Sequence, residues 1–106
     1  MFLTNTENLA GYRTTEVLGL VRGNTIRAKH VGRDIMAGLK TLVGGELKGY
    51  TEMLSEAREQ AVQRMVEHAN SLGADAVVNV RFSTSLVLQG SAEILAYGTA
   101  VKVQPE

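Results

Sequence analysis

Residues 47–72, LKGYTEMLSEAREQAVQRMVEHANSL, contain no proline and repeat apolar side chains at intervals of three and four. This spacing places those side chains along one stripe of an α-helix. Glutamate and glutamine fall on the opposite face, and Gly73 follows at the position that suits the left-handed residue ending many helices. The stretch therefore predicts one long amphipathic helix. Its apolar positions are Tyr50, Met53, Leu54, Ala57, Ala61, Val62, Met65, Val66, Ala69 and Leu72.

Strands are predicted on both sides of this helix. The segment Thr15–Ala28 is rich in β-branched and aliphatic residues, and Gly23-Asn24 within it indicates either a bulge or a tight turn. After the helix, Ala76–Leu88 and Ala92–Val103 alternate between two kinds of side chain, as strands do. The intervening Gln89-Gly90-Ser91 predicts a hairpin loop, so these last two strands are expected to be antiparallel.

A shorter helix is predicted ahead of the long one. Residues Asp34–Val43 place five apolar side chains on one stripe, with Asp34 as an N-cap, and Gly44-Gly45 separates the two helices. The order is thus β, α, α, β, β. It predicts one α/β (α+β) domain over residues 1–106, in which two helices lie on a mainly antiparallel three-stranded sheet. Residues 1–13 precede the first predicted strand and form a candidate flexible segment.

Composition narrows the classes of function. The chain has 106 residues, with 11 Lys and Arg against 11 Asp and Glu, which argues against nucleic acid as a partner. It has no Cys, so disulfides and thiolate metal sites are excluded. The N-terminal residues lack the pattern of a signal peptide, and no apolar run is long enough to span a membrane. We therefore expect a cytoplasmic protein.

The predicted sheet has one face that the helices do not cover. Depending on the strand register, that face carries several apolar side chains, and an exposed apolar face usually marks an interface. Gly19 and Gly98 also permit close approach of another backbone. We predict a homo-oligomer; the alternative is a monomer whose bent sheet covers itself. The apolar candidates for the uncovered face are Leu18, Leu20, Val77, Leu95, Tyr97 and Val101.

Four segments, in this order, resemble the YbjQ-like family of small proteins, which is described as heavy-metal-binding. The resemblance covers the chain from about Thr15 to Val103 and implies a fold similar to that of dodecin subunits. It also implies a ring-shaped homo-oligomer, a pentamer. The segments are Asp34–Gly45, Ala57–Ala61 with Arg64-Met65, Leu72–Phe82 and Ala96–Val101.

Of the two histidines, His68 is the candidate metal ligand. His68 lies on the apolar side of the long helix, three residues after Met65, and an imidazole with a thioether could suit a soft ion such as Cu(I). The alternative is a packed histidine whose nitrogens bond to neighbouring groups. His30 adjoins Lys29 and lies near Arg27 and Arg33, a cluster that could hold an anion or simply be solvated.

Two further features carry weaker signals. Gly44-Gly45 ahead of a helix is typical of a simple turn, and also of a backbone anion site. On the long helix, Arg58, Glu59 and Arg64 lie near the polar flank, where Arg58 could pair with a carboxylate of another subunit.

The chain contains no catalytic motif: Asp34 and Asp75 are better explained as cap and turn residues. We predict no enzymatic activity. The sequence assigns no catalytic residue and identifies no metal ligand. The leading hypothesis is a ring-forming protein that binds a heavy metal or a small ligand, and the alternative is a scaffold or interaction module with no bound metal.

Overall fold

The computed structural model describes residues 1–28, 48–88 and 91–106. Chain order gives strand β1 (Phe2–Leu3), strand β2 (Tyr12–Ala28), helix α1 (Lys48–Ser71), strand β3 (Ala76–Leu88) and strand β4 (Ser91–Pro105). The predicted short helix Asp34–Val43 lies outside the described residues, as do Gly44-Gly45 and His30.

The sheet has four strands, so the prediction of three was wrong. Their order is β1-β3-β4-β2, with β1 parallel to β3 and the other neighbours antiparallel. The missed strand is short: Phe2 and Leu3 pair with Ala76 and Val77. Two residues show no alternation to detect, and only the distant partner strand makes them a strand. Nearby, Leu9 packs against a small cluster of Ala76, Val78 and Val101.

Helix α1 covers mainly β2 and β4, and much less of β3. Its buried stripe follows the predicted period and forms a helix-side core with alternate residues of the strands. As predicted, the helix ends at a left-handed Gly73 (φ 78°), whose N–H donates to the Asn70 carbonyl. The buried helical residues are Met53, Ala57, Ala61, Met65 and Ala69.

Gly23-Asn24 is neither a bulge nor a turn, because strand β2 pairs with β4 without interruption through these residues. The register shifts of β2 fall earlier, between Thr14 and Glu16 and between Val17 and Gly19. Gly23 instead lets the helix approach closely. A Cβ at this position would collide with the backbone of Ala61 and Met65 and lie 2.7 Å from the Arg64 Cβ.

Strand β3 does not keep the strict alternation that its sequence predicts. Asn79 has a positive φ of 54°, and the pairing with β4 shifts between Val78 and Arg81, which marks a bulge. As a result Val78 and Val80 lie on opposite faces: Val80 packs on the helix-side core, whereas Val78 belongs to the cluster under Leu9. The amides of Asn79 and Val80 donate to carbonyls of the N-terminal segment.

Candidate functional site

A groove runs along the outer edge of strand β2, between His68 of helix α1 and side chains on the sheet face opposite the helix. Its volume is about 450 Å³, within the range of small-ligand sites. Strand β2 is the last strand of the sheet, so one side of its backbone has no strand partner. We call this feature the β2-edge groove; its lining residues are Leu20, Val21, Arg22, His68, Leu95 and Tyr97.

His68 closes one end of the β2-edge groove. Its Nδ1 accepts a hydrogen bond of 3.2 Å from the backbone N–H of Arg22. A ring nitrogen that accepts carries no proton, so in the neutral imidazole the proton lies on Nε2. Neither nitrogen then offers a free lone pair to a metal. Met65, the predicted companion ligand, is fully buried in the helix-side core. This geometry favours the interpretation that His68 bonds to a neighbouring group, through Nδ1, but the side chain is exposed and not packed as predicted.

Arg22 and Tyr97 carry the polar groups that face the groove from the sheet. They are direct partners across strands β2 and β4. Within the described part of the chain, neither the Arg22 guanidinium nor the Tyr97 hydroxyl has a hydrogen-bond or ion-pair partner. Arg81 lies opposite Tyr97 on its other side. Its Nη1 is already engaged, donating to the carbonyls of Asn5 at 2.7 Å and Val80 at 3.0 Å.

A second groove lies on the other flank of the helix, above strand β3, and also measures about 450 Å³. Phe82 forms its floor and is 50% exposed, although it is a large apolar side chain. Arg58 borders this groove, where its Nη2 donates to the Ser55 hydroxyl at 3.2 Å. We call it the helix–β3 groove; its lining residues are Arg58, Glu59, Val62, Gln63 and Phe82.

The remaining predicted residues have structural partners. Arg64 donates from Nη1 to the Asn24 carbonyl at 2.6 Å, which satisfies a second backbone group on the outer edge of β2. Asp75 accepts from the Val103 N–H at 3.0 Å, in keeping with its predicted role at a turn. Arg27 reaches the helix, donating from Nη2 to Gln60 at 3.1 Å. Its predicted companions Lys29, His30 and Arg33 lie outside the described residues.

The donor set of the described residues does not fit a heavy-metal centre. Residues 1–28, 48–88 and 91–106 contain no cluster of three or more His, Asp or Glu side chains that could hold an ion. The whole chain has no Cys. In His68, Nδ1 accepts a hydrogen bond and Nε2 carries the proton, so neither nitrogen has a free lone pair. The described residues of one subunit would therefore not supply the three or four ligands that such ions take.

The sequence did not predict that the residues lining the two grooves lie together. It named Leu20, Leu95 and Tyr97 only as candidates for an uncovered face, and it did not single out Arg22 or Phe82. The one available signal was the alternation of Arg22 with its apolar neighbours in β2, which places a cation on an apolar face. Its proximity to His68 depends on packing between elements 46 residues apart in the chain.

Among the described residues, these features define an α+β domain in which helix α1 packs on a four-stranded sheet, with one groove at the outer edge of β2 and another beside β3. In the described part of the chain, no helix is long and apolar enough to cross a membrane. A family model described as "Putative heavy-metal-binding" matches residues 1–104. The chain belongs to this family, the YbjQ family, as the sequence segments predicted.

Several relatives are similar over nearly their whole length. A UPF0145 protein of Methanoculleus marisnigri is 64% identical over 105 residues, which cover 99% of this chain and 98% of the relative. A UPF0145 protein of Halorubrum lacusprofundi is 62% identical, with 98% and 100% covered, and one of Thermosipho africanus is 59% identical, with 98% and 96% covered.

One solved structure is similar in fold. It is a crystal structure of a protein of unknown function, of the DUF74 family, from Pediococcus pentosaceus. The TM-score is 0.66 at 18% sequence identity, and the match covers 98% of each chain. At that identity the likeness concerns the fold alone.

Proposed function

We propose that this chain is a subunit of a closed homo-oligomeric ring, a pentamer of dodecin-like subunits, in the cytoplasm. The ring binds a small ligand or a metal ion and catalyses no reaction. The observation that carries this proposal is the apolar surface left uncovered beside the helix–β3 groove. Phe82 and Leu86 of strand β3 are 50% and 74% exposed, and Phe82 lines the groove together with the half-buried Val62.

The uncovered surface follows from the position of the helix. Because α1 lies mainly over β2 and β4, the described residues leave much of the helix-facing side of β3 uncovered. The helix also has a second apolar flank, Val62 and Val66, that its own sheet covers only in part. Exposed apolar patches of this kind mark protein–protein interfaces. A second copy of the chain supplies matching apolar surface.

The shape of the subunit supports assembly as well. Its radius of gyration is 17.3 Å and its extents are 55 × 25 × 16 Å. A compact domain of about 100 residues would have a radius of about 13 Å. A thin plate buries little of its own apolar surface and gains stability from neighbours. A contact between two different surfaces of neighbouring copies forms a ring when its rotation closes, whereas a self-complementary contact stops at a dimer.

The test is the mass of the particle in solution, measured by sedimentation equilibrium at micromolar concentration. The subunit mass is 11.4 kDa, so five copies give about 57 kDa. Phe82→Glu places a charge in the uncovered surface and is expected to reduce the mass toward that of the monomer. The matched control is Val17→Glu, an exposed apolar residue of strand β2, which should leave the mass unchanged.

Each outcome bears on the proposal. Wild-type protein that sediments at 11 kDa contradicts assembly altogether, and a mass of two or six subunits contradicts the pentamer. If Val17→Glu dissociates the particle and Phe82→Glu does not, the interface lies elsewhere.

Metal binding is a separate part of the proposal and rests on the family description. Since one subunit lacks a sufficient donor set among its described residues, an ion would require ligands from several copies or from residues 29–47 and 89–90. Elemental analysis of protein purified without chelator tests this. A stoichiometric transition metal supports a metal-binding ring. A metal content at background level, in protein that still forms the ring, contradicts metal binding. The remaining hypotheses are then a small-ligand carrier and the alternative scaffold.

A further inference from the structure

We propose that the β2-edge groove binds a small organic anion with an aromatic or branched aliphatic body, such as an aromatic carboxylate. This inference names the ligand class that the proposed function leaves open, and the groove is built from residues of one subunit.

The walls of the groove are apolar. Leu20 and Leu95 contribute aliphatic surface, and Tyr97 contributes an aromatic ring. Leu20 is 77% exposed, the largest value among the exposed large apolar residues of the described chain. A planar apolar body inserted beside it would remove this surface from water, at about 25 cal/mol for each Å² buried. The walls thus select a ligand with a hydrophobic part.

The polar groups in the groove are donors or cations. The Arg22 guanidinium is unpaired within residues 1–28, 48–88 and 91–106. His68 carries its proton on Nε2, because its Nδ1 accepts a hydrogen bond from the Arg22 amide. Tyr97 adds a hydroxyl that can donate. Each of these groups can donate to a carboxylate, and the guanidinium matches a carboxylate with two parallel hydrogen bonds.

Among the residues that the structure describes, no acidic side chain lines the groove. The acid on the same face of β4 is Glu93, four residues from Tyr97, or about 13 Å along an extended strand. Arg64 adds a further positive charge at the outer edge of β2, where it binds the Asn24 carbonyl. The local charge therefore favours an anion and disfavours a metal cation.

The groove is held in place by the same hydrogen bonds that fix the edge of β2. His68 and Arg64 bond to Arg22 and Asn24 from the helix, so the backbone beneath the groove is fixed before a ligand arrives. Preorganisation of this kind reduces the entropy that binding must otherwise overcome.

The experiment uses two probes with the same body, naphthalene-2-carboxylate and 2-naphthalenemethanol, titrated calorimetrically into the full chain. The wild type should bind the carboxylate at least tenfold more tightly. Arg22→Gln should abolish that preference and leave the alcohol unaffected. Leu20→Ala should weaken both probes by a similar factor, because it removes apolar wall from either complex.

The matched control is Arg13→Gln. Arg13 lies on the same strand and carries the same charge, but its Nη2 donates to Gln104 at 3.0 Å, outside the groove. This variant should bind both probes as the wild type does. Equal affinity of the two probes for the wild type overturns the proposal, and so does an unchanged preference in Arg22→Gln.

Sedimentation of the same samples separates this inference from the proposed assembly. An oligomer that binds neither probe refutes the anion site and leaves the ring standing, as would happen if a neighbouring copy covers the groove. A monomer that prefers the carboxylate refutes the ring and leaves the anion site standing.

Discussion

The two flanks of helix α1 meet the sheet in different ways. On the β2 flank the backbones come close at Gly23, and side chains of the helix bond to the outer edge of the strand. On the β3 flank the helix presents Val62 and Val66 above an exposed Phe82. On the first flank, contacts within the subunit close the helix against the strand, and the β2-edge groove lies outside these contacts. The second is apolar and open, which is the property of a surface that another molecule covers.

This difference explains how one helix can serve two roles. Close backbone packing and directional hydrogen bonds fix its position over β2 and β4. Because that anchoring does not use the other flank, the residues there are available for the proposed assembly. Substitutions on the closed flank should therefore change the stability of the subunit, whereas substitutions on the open flank should change its association.

The largest effect is expected for Met65→Ala. Met65 is fully buried in the helix-side core, so the truncation leaves a cavity and should lower the free energy of unfolding by about 3 kcal/mol. Its neighbour Val66 is half-buried on the open flank, and Val66→Ala should cost about 1 kcal/mol. Urea unfolding followed by circular dichroism, at one fixed protein concentration, measures both. Equal losses would contradict the distinction between the flanks.

Gly23→Ala tests the close approach directly. The added Cβ has no room against the backbone of Ala61 and Met65, so the helix must shift, and we expect a loss of about 2 kcal/mol. The adjacent Asn24→Ala is the control: its side chain is exposed, and the change should stay within about 0.5 kcal/mol. A neutral Gly23→Ala would show that the helix does not rest on this residue.

Thr25→Val should stabilise the closed flank. Thr25 is only 2% exposed, and its Oγ1 has no hydrogen-bond partner among the described residues. Replacing the hydroxyl with a methyl group removes an unsatisfied buried polar atom, which should raise the free energy of unfolding by about 1 kcal/mol. The exposed Thr14→Val serves as the control. A loss of stability in Thr25→Val would show that water bonds to this hydroxyl in solution.

The smallest effect on stability is expected for Arg27 and Glu56, an exposed ion pair that forms the polar rim of the β2 flank. Arg27 Nη1 lies 3.7 Å from Glu56 Oε2, and the two side chains are 36% and 66% exposed. Such a pair should couple by at most about 0.5 kcal/mol in a double-mutant cycle with Arg27→Gln and Glu56→Gln. The coupling should fall further in high salt. A coupling above about 1 kcal/mol, unaffected by salt, would indicate that this rim is buried in an assembled particle.

Local sequence patterns predicted the main elements well. The predicted helix over 47–72 corresponds to Lys48–Ser71, and the bounds predicted for β3 agree with the structure. Strands β2 and β4 extend further than predicted, because Tyr12 pairs with Pro105 at the far ends of the two strands. Pairing between distant residues sets those ends, and periodicity within each segment does not reveal it.

The sequence by itself determined the long helix, its buried stripe and its left-handed end at Gly73, since these depend on residues a few positions apart. Only the tertiary structure decided the purpose of Gly23, the bulge at Asn79 and the hydrogen bond between His68 and Arg22. Each of these depends on which segments meet in space. The long helix was predictable from its own residues, but the difference between its two flanks arises from where it lies on the sheet.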